Sequence, residues 1–499
     1  MYNSAKNTIS ENPLGSAPLL PLIARFAIPS IISMLVGAAY NITDQIFIGH
    51  IVGMLGNAAT NVAFPTMTLT TAMSMLVGAA YNITDQIFIG HVVGMLGNAA
   101  TNVAFPTMTL TTAMSMLVGI GTAANFSLNQ GAGKMEEAKK HVYTGISTVL
   151  ILGILTGILV YSFRSQIIVI CGAERSGNVF PYAYAYLSIT AIGLPFHIVT
   201  HTSSMLIRAD GRPTYSMMCT ATGVIVNVFL DWLFMFPLGM GIRGAAIATV
   251  IGQMISFILA VSYYPHFRAF DIRIKDLGIK PEYLKRNFQA GVPNFLNHIL
   301  MMTTNIVLNN MLATYGAMSI YGADIPLAVS GIAQKTGMIM VSFSVGIAQG
   351  CQPIWGFNLG AGQYSRVKGA FWRAFAAAFT VGLIFFAALQ LFPREIISIF
   401  GTGSDLYFEF AEKYLKIYMM LVFLQNIQPV AINYFSATGN HRQGTFVSLS
   451  RQGLCLIPLL VILPRIMGIE GVLWASPIAD MISFIISMSM VLLTFRKYK

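Results

Sequence analysis

Charge is what this chain has least of. Only 9% of its 499 residues are Asp, Glu, Lys or Arg, against roughly 25% in soluble globular domains. With 55% hydrophobic residues, too little polar surface is left to cover a soluble core. The apolar runs are long enough to cross a hydrocarbon layer of about 30 Å as helices. The short alternating segments of a membrane β-barrel are absent. Cysteine is scarce and scattered (Cys171, Cys219, Cys351 and Cys455), with no CxxC spacing, so neither a disulfide framework nor a metal site is expected. No HExxH, GxSxG or comparable constellation appears, so an enzyme is not expected. The net charge of +11 has no Lys/Arg stripe with interleaved aromatics, which argues against a nucleic-acid face. Basic loops on the cytoplasmic side of a membrane account for it instead. Residues 1–17 are polar, and the apolar run after them is too long for a cleaved signal segment, so they read as part of the mature protein.

What the chain does have is repetition. Ser33 to Gly37 (SMLVG) returns at Ser74 to Gly78 and at Ser115 to Gly119, a period of 41 residues. One full unit is copied almost letter for letter; the earliest difference is Ile51 against Val92. Two near-identical copies point to a recent duplication rather than a solenoid, whose units diverge and number at least about three. A second, older repeat relates the two halves. The stretch from Ile242 to Ile258 resembles that from Ile469 to Ile485 at an offset of 227. Arg208-Ala-Asp-Gly211 matches Ser436-Ala-Thr-Gly439 at 228, and Gly131-Ala-Gly133 matches Gly360-Ala-Gly362 at 229.

These patterns predict an all-α polytopic membrane protein. Two six-helix bundles are related by a pseudo-twofold along the membrane normal, with one extra helix from the 41-residue duplication. Residues 1–264 form the N-half, including the duplicated unit at about 33–114. Residues 265–287 are a cytoplasmic linker, and 288–499 form the C-half. After the duplication, spans are expected near 99–130, 141–170, 180–207, 214–238, 243–264, 288–315, 326–358, 369–393, 407–436, 444–463 and 471–495. Pro29, Pro65, Pro106, Pro195, Pro293, Pro353 and Pro429 are expected to interrupt spans. The Lys/Arg bias places the linker and the C-terminus inside. If the extra helix crosses, there are thirteen spans and the N-terminus lies outside.

Four of the 18 acids fall within spans: Asp44, Asp85, Asp231 and Asp480. A carboxylate in hydrocarbon costs at least about 2.5–3.5 kcal/mol on insertion scales, so such a residue reads as functional. Asp44 lies in Tyr40-Asn-Ile-Thr-Asp-Gln-Ile-Phe-Ile-Gly-His50, and Asp85 holds the same place in the copy from Tyr81 to His91. Asn227 and Asp231 are four apart, on one face of a helix, and Thr249 lies on the next. Carboxylates among Asn, Tyr and Thr oxygens suit a proton or a hard cation such as Na⁺. Asp480 corresponds to Gln253 in the older repeat and reads equally well as a polar bridge between helices. Lys335 and Arg451 also lie in spans, where snorkelling or a charge partner in the bundle accounts for them. The loops Asn129-Gln-Gly-Ala-Gly-Lys134 and Asn358-Leu-Gly-Ala-Gly-Gln363 lack GxxxxGK[ST] spacing and read as helix-ending turns, so ATP is not the expected energy source.

Taken together, the paired six-helix halves, Asn-Ile-Thr-Asp-Gln-Ile-Phe-Ile-Gly, the Asn129 turn, Arg208-Ala-Asp-Gly-Arg-Pro213 and Asn227-x-x-x-Asp231 resemble the multidrug and toxic compound extrusion (MATE) family. Asn297, Asn305, Gln425, Asn426, Gln428 and Asn433 stand where some members carry C-half acids, which favours the DinF/MepA-like branch. The resemblance implies a secondary active antiporter of the plasma membrane. It would export cationic or amphipathic drugs by alternating access in exchange for H⁺ or Na⁺. It also implies a coupling site at Asp44 or Asp85, Tyr40 or Tyr81, Asn227, Asp231 and Thr249, with Na⁺ a candidate ligand of Asp85, Asn227, Asp231 and Thr249. No cofactor is expected, the lipid bilayer and small-molecule drugs are the expected partners, and the expected state is a monomer. The alternative is a lipid-linked oligosaccharide flippase of the same superfamily, which needs a strongly cationic central cavity. Of the two copies, Asp85 is the expected working acid, because an added first span would leave every later helix in its native orientation.

Overall fold

The structure, a computed structural model, describes residues 13–27, 95–171, 175, 179–322, 324–399 and 404–498. Tyr40, Asp44, Tyr81 and Asp85 lie outside the described residues, as do Pro29 and Pro65. Those described form helices and connecting turns, with no strand among them. The N-half contributes α1 (Met95–Gly131), α2 (Met135–Ser162), α3 (Phe180–Ala209), α4 (Pro213–Met235) and α5 (Gly241–Ser262). The C-half contributes α6 (Pro281–Ala317), α7 (Asp324–Gly360), α8 (Tyr364–Leu391), α9 (Asp405–Tyr418) and α10 (Ile427–Ala437). It closes with α11, which runs from His441 to Met467, and α12 (Ile469–Arg496). Seven helices of the described residues are long and apolar enough to cross a membrane, and the bent pair α9–α10 adds an eighth. The protein is a multi-pass membrane protein. The outward stripe on α4 shows what the bilayer receives: Ile225, Phe229 and Trp232 are exposed, while Gly223, Asn227, Asp231 and Met235, at every fourth position, are buried. That is an amphipathic helix turned inside out, with its polar residues in the bundle.

Two expected spans differ in detail. The run 141–170 divides: α2 ends at Ser162, and a short helix Arg164–Ile170 follows. At 28 residues, α2 is already long enough to cross, and the Arg164 guanidinium lies over the Tyr161 and Tyr184 rings, an arrangement suited to the membrane interface. The run 407–436 is bent by 50° between Tyr418 and Val422. Pro429 sits just beyond this break and cannot donate to the carbonyl four residues back, so it weakens the helix upstream. The other described prolines do not interrupt their spans. Pro195, Pro293 and Pro353 lie inside α3, α6 and α7, and α1 runs through position 106. Pro293 is also tied to a neighbouring helix, since Ser448 Oγ on α11 donates to its carbonyl at 2.7 Å.

Within the N-half, α1, α2, α4 and α5 pack around α3; within the C-half, α7 packs against α8 and α10, and α11 against α12. The halves meet where α1 lies against α6 and α7. The turns and flanking helix ends that hold most of the Lys and Arg residues (132–140, 208–212, 263–286, 361–368, 438–442 and 496–498) are at one end of the bundle, which the Lys/Arg bias makes cytoplasmic. The segment 13–17 is at this same end. Arg366 Nη2 donates to the carbonyls of Ala17 (2.7 Å) and Leu14 (3.3 Å), and Asn358 Nδ2 donates to Leu14 (2.9 Å). Residue 13 is on the basic side, whereas the thirteen-span condition would put the N-terminus on the opposite face; the duplicated stretch that would form the extra span lies mostly outside the described residues. The position of residue 13 does not support the orientation argument for Asp85, which needs that condition.

Candidate functional site

Close glycine contacts set how α4 and α5 lie together. A Cβ on Gly223 would fall 1.8 Å from Ser256 Oγ and 2.5 Å from the Gly252 carbonyl, and one on Gly252 would fall 2.8 Å from Asn227 Cβ. A Cβ on Gly244 would stand 3.0 Å from Phe234 Cβ. These pairs define one antiparallel register, with 223 opposite 256, 227 opposite 252 and 234 opposite 244. That register sets Asp231 opposite Ala248 and Thr249. Small residues make this approach possible, as is usual for helices in lipid.

Asn227, Asp231 and Thr249 are all at most 2% exposed. The structure thus brings these three predicted residues together on facing helices in the apolar part of the N-half. The Asn227 side-chain amide finds no hydrogen-bond partner among the described residues. Thr249 Oγ1 donates to the Ala245 carbonyl at 2.9 Å. Such a group of oxygens can take a proton on the carboxylate or coordinate a hard cation. The other four predicted residues, Tyr40, Asp44, Tyr81 and Asp85, lie outside the described residues.

In the C-half, Asp480 is buried and paired. Arg451 Nε donates to its Oδ1 at 2.6 Å, joining α11 to α12. The bridging reading of Asp480 and the charge-partner reading of Arg451 turn out to be one interaction. Lys335 lies within α7. The candidate C-half amides are engaged in part: Gln428 Nε2 donates to the Val447 carbonyl (3.0 Å) and Asn433 Nδ2 to that of Pro429 (2.9 Å).

The glycine-rich loops are helix ends. Gly133 and Gly362 have φ of 71° and 70°, the left-handed conformation that only glycine adopts without strain. Lys134 N donates to the Asn129 carbonyl (2.9 Å) and Gln363 N to that of Asn358 (2.8 Å). Gly131 and Gly360, two residues earlier, have a different task that the sequence reading missed. A Cβ on Gly131 would lie 1.9 Å from the Phe357 carbonyl oxygen, and one on Gly360 would lie 1.9 Å from that of Leu128. Gly121 and Gly291 repeat the pattern against the carbonyls of Asn287 and Leu117, each at 1.8 Å. Four glycines thus zip α1 to α6 and α7 at the cytoplasmic end. Polar groups latch the same seam. Asn287 Oδ1 accepts from Asn125 Nδ2 (3.1 Å) and lies 2.7 Å from His141 Nδ1, and Asn287 Nδ2 donates to the His141 carbonyl (3.1 Å). The only signal in the sequence was that Gly131 and Gly360 occupy matching places in the two halves.

The Arg208-Ala-Asp-Gly211 turn clasps the linker. Asp210 accepts from Tyr263 Oη (2.7 Å), Arg268 N (2.8 Å) and Ala269 N (3.2 Å). Burial outweighs these donors and raises its carboxyl from 3.8 to about 6. Between these values the folded chain holds the proton more tightly than the unfolded chain. Folded stability therefore falls as pH rises from about 4 to 6. Asp210→Asn removes this titration while keeping one acceptor oxygen. Its thermal unfolding midpoint should vary less with pH across that window than the wild type's. An unchanged pH profile would contradict the clasp's electrostatics.

The MatE family model matches residues 71–233 and 293–462. The chain is 26% identical over 362 residues to the multidrug export protein MepA of Staphylococcus haemolyticus, covering 72% of this chain and 77% of that one. It is 27% identical over 353 residues to the MepA of Staphylococcus aureus, covering 70% and 75%. Among solved structures it resembles the MATE multidrug transporter DinF-BH, at 30% identity, 97% coverage of each chain and a TM-score of 0.76. A MATE crystal structure in the bent conformation shares the fold at 19% identity and a TM-score of 0.81, covering 99% of this chain and 98% of that one. Each half of the older repeat contains one of the two matched segments, and a relative 30% identical spans nearly the whole chain: the chain belongs to the MATE family.

Proposed function

We propose that this chain is a secondary active multidrug efflux antiporter of the plasma membrane, working as a monomer and exchanging cationic or amphipathic drugs for H⁺ or Na⁺. The observation that carries the coupling is the buried group Asn227, Asp231 and Thr249 on facing helices of the N-half. A carboxylate held there at the cost of desolvation gains or loses charge with the ion and so makes the N-half sensitive to it. The efflux reading draws on relatives named as multidrug export proteins. An ion arriving from outside would load the N-half while the cytoplasmic seam is shut, and drug would move through the space between the halves. The flippase alternative loses one of its two candidate central cations, because Arg451 is committed to Asp480 inside the C-half. The test is dye accumulation in inverted vesicles under an imposed pH or Na⁺ gradient. Uptake driven by one gradient supports the antiport and names the ion; uptake driven by neither overturns it.

Asp85 is proposed as the acid that completes the group. The family match begins at residue 71 and so contains Asp85 but not Asp44. Asp85→Asn should abolish efflux, and Asp44→Asn should leave most of it. Full loss from Asp44→Asn alone would reverse the assignment.

A further inference from the structure

The buried pair of the C-half has no part in the proposed coupling group. The Arg451 and Asp480 side chains are 6% and 1% exposed. Ser476 Oγ donates to Asp480 Oδ2 at 3.4 Å. Nearby, at the end of α9, Tyr414 stacks on Tyr418 with ring centroids 4.8 Å apart.

The older repeat says where this pair stands. At the offset of 227, Ser476 is the mate of Thr249, Asp480 of Gln253 and Ser483 of Ser256. At the offset of 228, Arg451 is the mate of Gly223. In the N-half, Gly223 lies flush against Ser256 and Gly252, one turn from Asn227. In the C-half, the same place carries a long cationic side chain that reaches one turn along α12 to Asp480. The mates of Asn227 and Asp231 are Cys455 and Leu459, which offer a cation no oxygen. Helix α11 accommodates the arginine by winding as a π-helix over Ser450–Leu456, with Gly453 inside it. Such widened turns cluster at functional positions.

We infer that Arg451 is a tethered cation: the C-half keeps a cation site at the level where the N-half takes its coupling ion, and fills it permanently with its own guanidinium. The comparison with the coupling ion rests on the reading of the N-half; the C-half site itself does not. Asp480 supplies the carboxylate, Ser476 the second-rank polar contact, and the planar fork of a guanidinium is the cation that matches them. Only the N-half then responds to ion gradients, because the charge in the C-half never leaves.

Trimming the arginine should expose the site to free guanidinium. Reconstituted Arg451→Ala should lose drug efflux by roughly a hundredfold, the scale of leaving a buried charge unpaired. Guanidinium chloride at low millimolar concentration, far below denaturing levels, should restore efflux saturably and raise the thermal midpoint in parallel. Neither effect should appear in the wild type or in Arg451→Ala/Asp480→Ala. If Arg451→Ala does not accumulate in membranes, guanidinium in the growth medium should restore its accumulation, and urea should not. No response of Arg451→Ala to guanidinium, or an equal response without Asp480, overturns the inference. Full efflux by Asp231→Asn would remove only the comparison with the N-half and leave the guanidinium result standing.

Discussion

Asp231→Asn should abolish drug efflux while the protein still accumulates in the membrane. Asp231 is fully buried on α4, and the register set by Gly223 and Gly252 puts it opposite Thr249. Asparagine has the same shape, so the packing against α5 survives. A neutral amide also costs less to bury than a carboxylate, so folding has no reason to fail. What disappears is the charge that the ion switches. Coupling free energies of about 1–3 kcal/mol, or 5–150-fold in affinity, are the usual scale of such linkage, and losing that linkage uncouples transport from the gradient. Unchanged resistance in cells carrying Asp231→Asn would remove the site assignment.

Gly291→Ala should force the cytoplasmic seam open. The added Cβ would stand 1.8 Å from the Leu117 carbonyl oxygen, and backbone on both sides leaves it no room. Helices α1 and α6 must move apart, at an overpacking cost of about 1–3 kcal/mol. Conformations of a transporter differ by only a few kcal/mol, so this shifts the population toward the state open to the cytoplasm by about 5–150-fold. Ser127, 1% exposed beside Gly356, reports on the seam. In a Ser127→Cys background, a membrane-impermeant thiol reagent added from the cytoplasmic side should react faster once Gly291→Ala is present, and efflux should fall. Unchanged labelling with full efflux would contradict the zipped seam.

Some of this was legible in the residues alone. The four-residue spacing of Asn227 and Asp231 needed only helical periodicity, and the helix-ending turns at Gly133 and Gly362 followed from glycine chemistry. The two halves were visible as three nearly equal offsets. The seam was not legible, because Gly121, Gly131, Gly291 and Gly360 matter through helices far apart in sequence, and a glycine does not announce which backbone it meets. The position of residues 13–17 depended on Arg366 reaching the carbonyls of Leu14 and Ala17, a contact that charge counting cannot see. The Arg451–Asp480 pair lay between these cases. The repeat aligned Arg451 with Gly223, and that mismatch of size and charge was itself the signal of a changed site.

The central claim is that one buried N-half group exchanges an ion for drug. The direct measurement is ion flux driven by drug. In sealed vesicles with no ion gradient, a downhill gradient of a cationic dye should drive H⁺ or Na⁺ the opposite way through the wild-type protein. Asp231→Asn should carry no such countercurrent. Dye movement through the wild type with no opposing ion flux, or an intact countercurrent in Asp231→Asn, would contradict the account.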